Sequence, residues 1–248
     1  PGVKNVTEIK LGYEVGVEGD PVKFVSAYGL KDFVLCVGRL ESRKNQLMLL
    51  KALENSELDV VLVAGGFSYQ PDYDRAVRNF KRKGKTLILD RIPADMLASA
   101  YAAAKVHCLP SWYELPGLVS LEAAYYGCNV VGCDTGTTRD YLGDLAFYCE
   151  PANESSIYNA VMAAYYAPRR DELRQVVRRF TWANTAEQTF KVYREIVVRQ
   201  KVAPAAVEPP RRAPITLNTK PTGIPNASIA QPEAQVDSEF QLILDRAE

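Results

Sequence analysis

The sequence predicts an α/β protein built on a doubly wound parallel sheet, and three observations carry that expectation. Short unbroken runs of Val, Leu and Ile recur along the chain, segments of helical spacing lie between them, and Gly-containing loops follow several of the runs. A run that is apolar at every position suits a strand covered on both faces, which is the condition of a parallel sheet held between two helix layers.

Taken in order, the chain opens with a weakly periodic stretch, 1–30, that reads as a linker segment. The domain itself reads as 31–200, beginning with the strand "FVLCVG" (33–38) and the helix "KNQLMLLKALEN". Next come "DVVLVAGG" (59–66) with the helix "PDYDRAVRNFKRKG", then "KTLILD" (85–90) with "ADMLASAYAAA". The strands "KVHCLP" (105–110), "NVVGCD" (129–134) and "LAFYCE" (145–150) complete the set, with "GLVSLEAAYYG" as the helix after the first of these. Three later helices, 153–167, 169–180 and 182–200, have no strands between them and are expected to wrap the edge of the sheet. Residues 201–248 hold seven of the fifteen prolines and one aromatic, Phe240, too little apolar surface to offset the entropy of ordering. They read as a Pro-rich disordered tail, with "SEFQLILDRA" as a short amphipathic docking helix.

Composition narrows the function. Thirty basic and thirty acidic side chains balance, so no net field draws the chain to nucleic acid or an anionic membrane, and any anion must be held locally. Five cysteines without a CxxC pair suit reduced thiols in a cytosolic protein rather than disulfides or zinc. No apolar stretch approaches the roughly eighteen residues that span a bilayer, and no signal peptide precedes the fold. A first residue of Pro rather than Met suggests an excised piece.

In a doubly wound sheet, ligands bind at the carboxyl ends of the strands, so the loops after strands are the places to search. In "GRLESRKN", Gly38 ends a strand while Arg39 and Lys44 stand near the next helix, an arrangement that suits a diphosphate. On its own the same loop also reads as solvated charge. In "ELPGLVSLE", Glu114 and Glu122 are eight positions apart, about 12 Å of helical rise, too far for the roughly 5–5.5 Å carboxylate pair of a retaining glycosidase. Glu122 within a helix suits the two hydroxyls of a ribose, or else is an ordinary surface residue. In "CDTGTTRD", Gly136 and Thr137 offer a turn with free amides and hydroxyls able to cradle an anion. His107, the only histidine, sits inside a strand and reads as core, and the absence of GxGxxG argues against the usual NAD fingerprint.

In this order, "VGRLESRKNQLMLLKAL", "SWYELPGLVSLEAAYYGCNVV", "DTGTTRDYLGDLAFYCEP" and "FTWANTAEQTFKVYREIV" resemble the C-terminal, donor-binding half of a GT-B glycosyltransferase of the retaining family four, from about Leu30 to Val198. The resemblance implies a Rossmann-like domain that binds a UDP- or GDP-linked hexose, with Glu122 on the ribose and Glu114 against the donor sugar and departing phosphate. The amides of Gly117 and Leu118 would lie nearby, Gly38, Arg39 and Lys44 would meet the diphosphate, and the base would rest at Arg91 and Ile92. It further implies transfer to a glycan or lipid-linked acceptor with no metal and no cofactor, in a cytoplasmic protein, at the inner face of the membrane where the acceptor lies there. An N-terminal acceptor domain, in the same or another chain, would be the partner, without which residues 1–248 transfer little or nothing. Leu115 and Pro116 depart from the Gly-Phe more frequent after the first glutamate, and Asp140 stands where glutamate is common. A noncatalytic binding module and a sugar-nucleotide epimerase fragment are the alternatives, the latter needing acid/base side chains that a single strand-borne histidine does not supply.

Overall fold

The computed structural model describes residues 6–14, 16–66 and 68–202, so the expected tail lies outside the described residues apart from its first two positions. Six parallel strands form one sheet: β1 (Val34–Val37), β2 (Val60–Val63), β3 (Thr86–Leu89), β4 (Val106–Leu109), β5 (Asn129–Cys133) and β6 (Phe147–Cys149). Their spatial order is β3-β2-β1-β4-β5-β6. The chain therefore winds outward from β1 to β3, then returns to β4 beside β1 and winds the other way, which confirms the doubly wound parallel sheet.

Strand periodicity divides the core in two. Leu35, Val37, Val61, Val63 and Val130 face one helix layer, while Val34, Cys36, Val60, Leu62, Val106, Cys108, Val131 and Cys133 face the other. Each strand must be apolar at both phases of its pleat, which is why the runs show no alternation. The first layer holds α1 (Pro21–Tyr28), α4 (Ala94–Ala103), α5 (Leu118–Tyr125), α6 (Thr138–Leu142) and α8 (Asp171–Val177). The second holds α2 (Gln46–Ala52), α3 (Pro71–Asn79) and α7 (Glu154–Tyr166).

Two sequence expectations need correction. Helices α7 and α8 do not wrap an edge: α7 packs on β4, β5, β6 and α2, and α8 packs against α5 and α6 on the opposite face. Ile157, Val161 and Ala164 of α7 are fully buried, a stripe wide enough for a sheet face. The linker segment also contains helix α1, which packs on α4. Asp20 caps it by accepting from the Val22 amide, Pro21 occupies its first turn, and Gly29 ends it in the left-handed conformation. Phe24 is its fully buried anchor. The last helix, α9, spans Trp182–Val202.

All five cysteines are buried and unbonded, and Cys133 and Cys149 face each other across β5 and β6 with their sulfurs 3.7 Å apart. No helix among the described residues is long and apolar enough to cross a membrane.

Candidate functional site

The winding reverses between β1 and β4, and the loops leaving those two strands diverge and open a crevice at their carboxyl ends. The β1 loop passes through Gly38 and Arg39, makes a 3-10 turn at Ser42–Lys44, and enters α2 through Asn45. Asn45 is left-handed (φ 62) and buried, and its amide donates to the carbonyls of Pro110 (3.0 Å) and Pro151 (2.8 Å). One side chain thus fixes the start of α2 to the ends of β4 and β6. Gln46, almost fully buried, donates to the carbonyl of Arg39 at 2.8 Å and sets the course of that loop.

Across the crevice, Glu114 follows β4 in a short isolated bridge to Gly136, and the Thr137 amide donates to the Glu114 carbonyl at 3.1 Å. A Cβ on Gly136, where φ is +83, would come 2.1 Å from that carbonyl oxygen, so the approach demands glycine. The Thr137 amide expected to be free for an anion is therefore occupied. The Leu115–Pro116 peptide is cis, and Gly117, left-handed at φ 73, turns the chain into α5. Leu118 opens that helix, where the first N–H groups have no acceptor within the helix.

Lys44 and Glu114 meet in the crevice. Lys44 Nζ donates to Glu114 Oε1 at 2.7 Å, with side-chain exposures of only 14% and 11%, so the pair is shielded from water and charge-assisted. Arg43 joins them, its Nη1 donating to Glu114 Oε1 at 3.2 Å and to the Tyr113 carbonyl at 2.9 Å. Sequence reading missed Arg43 because, between Ser42 and Lys44, it looks like a solvated loop charge. Its signal was the run of two adjacent cations before a helix. Arg39 takes a different position, its guanidinium 3.6 Å from Glu41 and over the ring of Tyr69 at 5.6 Å, half-exposed at the mouth. The hydroxyls of Ser111 and Thr135, on the loops after β4 and β5, are buried without a hydrogen-bond partner.

Glu122 lies elsewhere. It is half-buried on α5 and accepts from the Tyr101 hydroxyl at 3.0 Å, and no hydrogen bond or ion pair among the described residues links it to the Glu114 cluster. Burial raises its carboxyl above the ordinary value of 4.5, an effect that the Tyr101 hydroxyl opposes. It lines a cavity of about 160 Å³ together with Ala94, Leu97, Tyr101 and, from the N-terminal segment, Glu14 and Val17. Ala94 opens α4 two residues after Ile92, but neither Arg91 nor Ile92 is among the residues that line this hollow. Arg91 is exposed and Ile92 half-buried against the core. His107 is fully buried with neither nitrogen partnered, and burial followed by nearby Lys44 lowers its value to about 3, so the ring stays neutral. No cluster of three metal-binding side chains occurs among the described residues.

These features place a shielded cation–carboxylate cluster at the switch point and a half-buried carboxylate, Glu122, in a separate small hollow. Comparison with known proteins agrees in fold and family. Residues 23–179 match the family described as Glycosyl transferases group 1. The chain is 26% identical over 176 residues to O-antigen chain mannosyltransferase B of Escherichia coli, covering 65% of this chain and 45% of that protein. It is 30% identical over 183 residues to α-maltose-1-phosphate synthase of Mycobacterium tuberculosis, covering 64% and 47%. The chain thus spans about half the length of the curated relatives it matches. Among solved structures, sucrose-phosphate synthase from Thermosynechococcus elongatus superposes with a TM-score of 0.63 at 22% identity, over 77% of this chain and 52% of that one. A glycosyltransferase from Rickettsia africae gives 0.61 at 18% identity, over 71% and 52%. The match to the family covers well over half of the sequence, and the chain belongs to the glycosyl transferases group 1 as a GT-B glycosyltransferase domain.

Proposed function

We propose that this chain is the donor-binding half of a retaining glycosyltransferase, which takes a hexose from a UDP- or GDP-sugar and delivers it to a glycan or lipid-linked acceptor. The observation that carries the reading is the placement of Lys44, Arg43 and Glu114 at the switch point, with Glu122 half-buried in a separate hollow of about 160 Å³. In this reading the diphosphate lies over the start of α2, where Lys44 and the half-exposed Arg39 neutralise charge that grows on it as the glycosidic bond breaks. The amides of Gly117 and Leu118 and the unpartnered hydroxyls of Ser111 and Thr135 supply neutral donors around it. Glu122 accepts the ribose hydroxyls, and the base rests against Arg91 and Ile92. With cations supplied by side chains, the site requires neither metal nor cofactor. The acceptor side belongs to a second domain, in the same or another chain, and the reaction takes place in a cytoplasmic cleft that reaches the inner membrane face when the acceptor is lipid-linked.

Calorimetric titration of the chain with UDP, GDP, ADP and NAD in the presence of a chelator tests this. The expected result is binding of one nucleoside diphosphate, weakened by both Arg39→Ala and Glu122→Ala. Binding of NAD instead, or a requirement for divalent metal, would overturn the reading. The chain alone is expected to show little or no sugar transfer, and sustained turnover by residues 1–248 would contradict the division of labour between two domains.

A further inference from the structure

Arg43 is tied to the β4 loop by more bonds than any other residue of the β1 loop. Its carbonyl accepts from the Trp112 amide at 2.9 Å, and its Nη1 forks between the Tyr113 carbonyl and Glu114 Oε1. Its Nη2 donates to Glu41 Oε1 at 2.9 Å, so the carboxylate behind it holds the guanidinium plane in place. A planar fork fixed by three acceptors is rigid in a way that a lysine ammonium is not.

The second observation concerns Glu114. Both of its charged partners, Lys44 and Arg43, bind the same oxygen, Oε1. Oε2 accepts no hydrogen bond from the described residues. It lies against the turn into α5, 3.7 Å from where a Cβ on Gly117 would stand. A carboxylate held by one oxygen and without a donor at the other is set to accept from a hydroxyl of a ligand.

We propose that Arg43 is a positioning residue for the donor sugar: it holds Glu114 through Oε1 so that Oε2 accepts a sugar hydroxyl, and it keeps that hold when the diphosphate draws Lys44 away. The inference rests on the donor-site reading above and extends it to a residue that touches neither phosphate nor sugar. Lys44 cannot serve both ends at full strength, because a diphosphate competes for the same ammonium. Arg43 is bound to the Tyr113 carbonyl through the same Nη1 and to Glu41 through Nη2, so it stays in place.

The test compares each bare nucleoside diphosphate with its sugar nucleotide: UDP with UDP-glucose, GDP with GDP-mannose, and ADP with ADP-glucose. Calorimetry on the chain and on Arg43→Gln, Arg43→Lys and Lys44→Gln reads the ratio of the two dissociation constants. Arg43→Gln is expected to weaken the sugar nucleotide by about tenfold relative to the bare diphosphate, the size of effect that a lost charge-assisted bond gives. Arg43→Lys, which keeps a cation near Oε1 but loses the fork, should restore only part of the ratio, while Lys44→Gln should weaken both ligands together. Equal weakening of both ligands by Arg43→Gln would make Arg43 a structural suture between two loops and overturn the proposal, as would an unchanged ratio. If the unsubstituted chain takes up no nucleotide at all, the donor-site reading itself fails and the role of Arg43 fails with it. Failure of the ratio alone leaves that reading standing.

Discussion

At the scale of single residues, burial determines how each carboxylate behaves. Glu114 exchanges water for two cations, whereas Glu122 exchanges it for one phenol, and burial pushes the Glu122 carboxyl upward. The sign of the resulting pH dependence is fixed. Well below the unfolded value of 4.5 both states hold the proton, and the folded protein bears no penalty. As pH rises past that value the unfolded chain releases its proton first, so stability falls until the folded carboxyl has titrated too. Glu122→Gln should therefore remove this loss: urea midpoints measured from about pH 4 to about 8 should fall away from the variant's as wild type crosses this window. Parallel profiles would contradict it. The same substitution should weaken nucleotide binding, trading function for stability. Single residues were only partly legible in the sequence. Arg39, Lys44, Glu114 and Glu122 drew attention by type and spacing, but nothing in spacing tells that Arg39 turns to Glu41 and Tyr69 while Arg43 turns inward. That choice is made by side chains that are far apart in the chain.

At the scale of elements, the strands were legible because burial on both faces leaves an unbroken apolar run, and the sequence marks for all six strands each enclose the observed strand. Helix α1 escaped although Asp20, Pro21 and Gly29 mark both of its ends, because it lies among glycines and has only eight residues. Helix α6, at five residues, is too short to show a period. The placement of α7 and α8 was missed because a helix's partner surface depends on which layer still has room, a property of the assembled sheet. Two loop positions carry testable consequences at this scale. Gly136→Ala should cost about 1–3 kcal/mol and displace Glu114, since the new methyl group collides with the bridge and φ is unfavourable. Asn45→Ala should cost about 2–4 kcal/mol, combining a left-handed backbone with loss of two buried donors, while Asn45→Gly should cost less because it keeps the backbone conformation. Chemical denaturation of the three variants checks both; an alanine at 45 no worse than glycine would show that φ contributes nothing there.

At the scale of the whole molecule, the order β3-β2-β1-β4-β5-β6 divides the sheet into two windings whose strands pair only along the β1–β4 seam, while helix and loop contacts such as α2 with α7 also join them. That seam has just two register pairs, Val34 with Val106 and Leu35 with His107, whereas β1 and β2 share four. Above those pairs, where the strands part, the Lys44–Glu114 and Arg43–Tyr113 contacts span the gap. A nucleotide bound there would act as a strut between the windings, and its binding energy would be added to the resistance of the seam to opening. Amide exchange offers a direct view: saturating nucleoside diphosphate should slow exchange in β4 and β5 as well as in β1 and β2, since neither half could swing free alone. Protection confined to the loops would show that the ligand rests on the sheet without bracing it. The crevice that opens the sheet to chemistry is also the seam with the fewest paired positions, and a substrate would close it each time it binds.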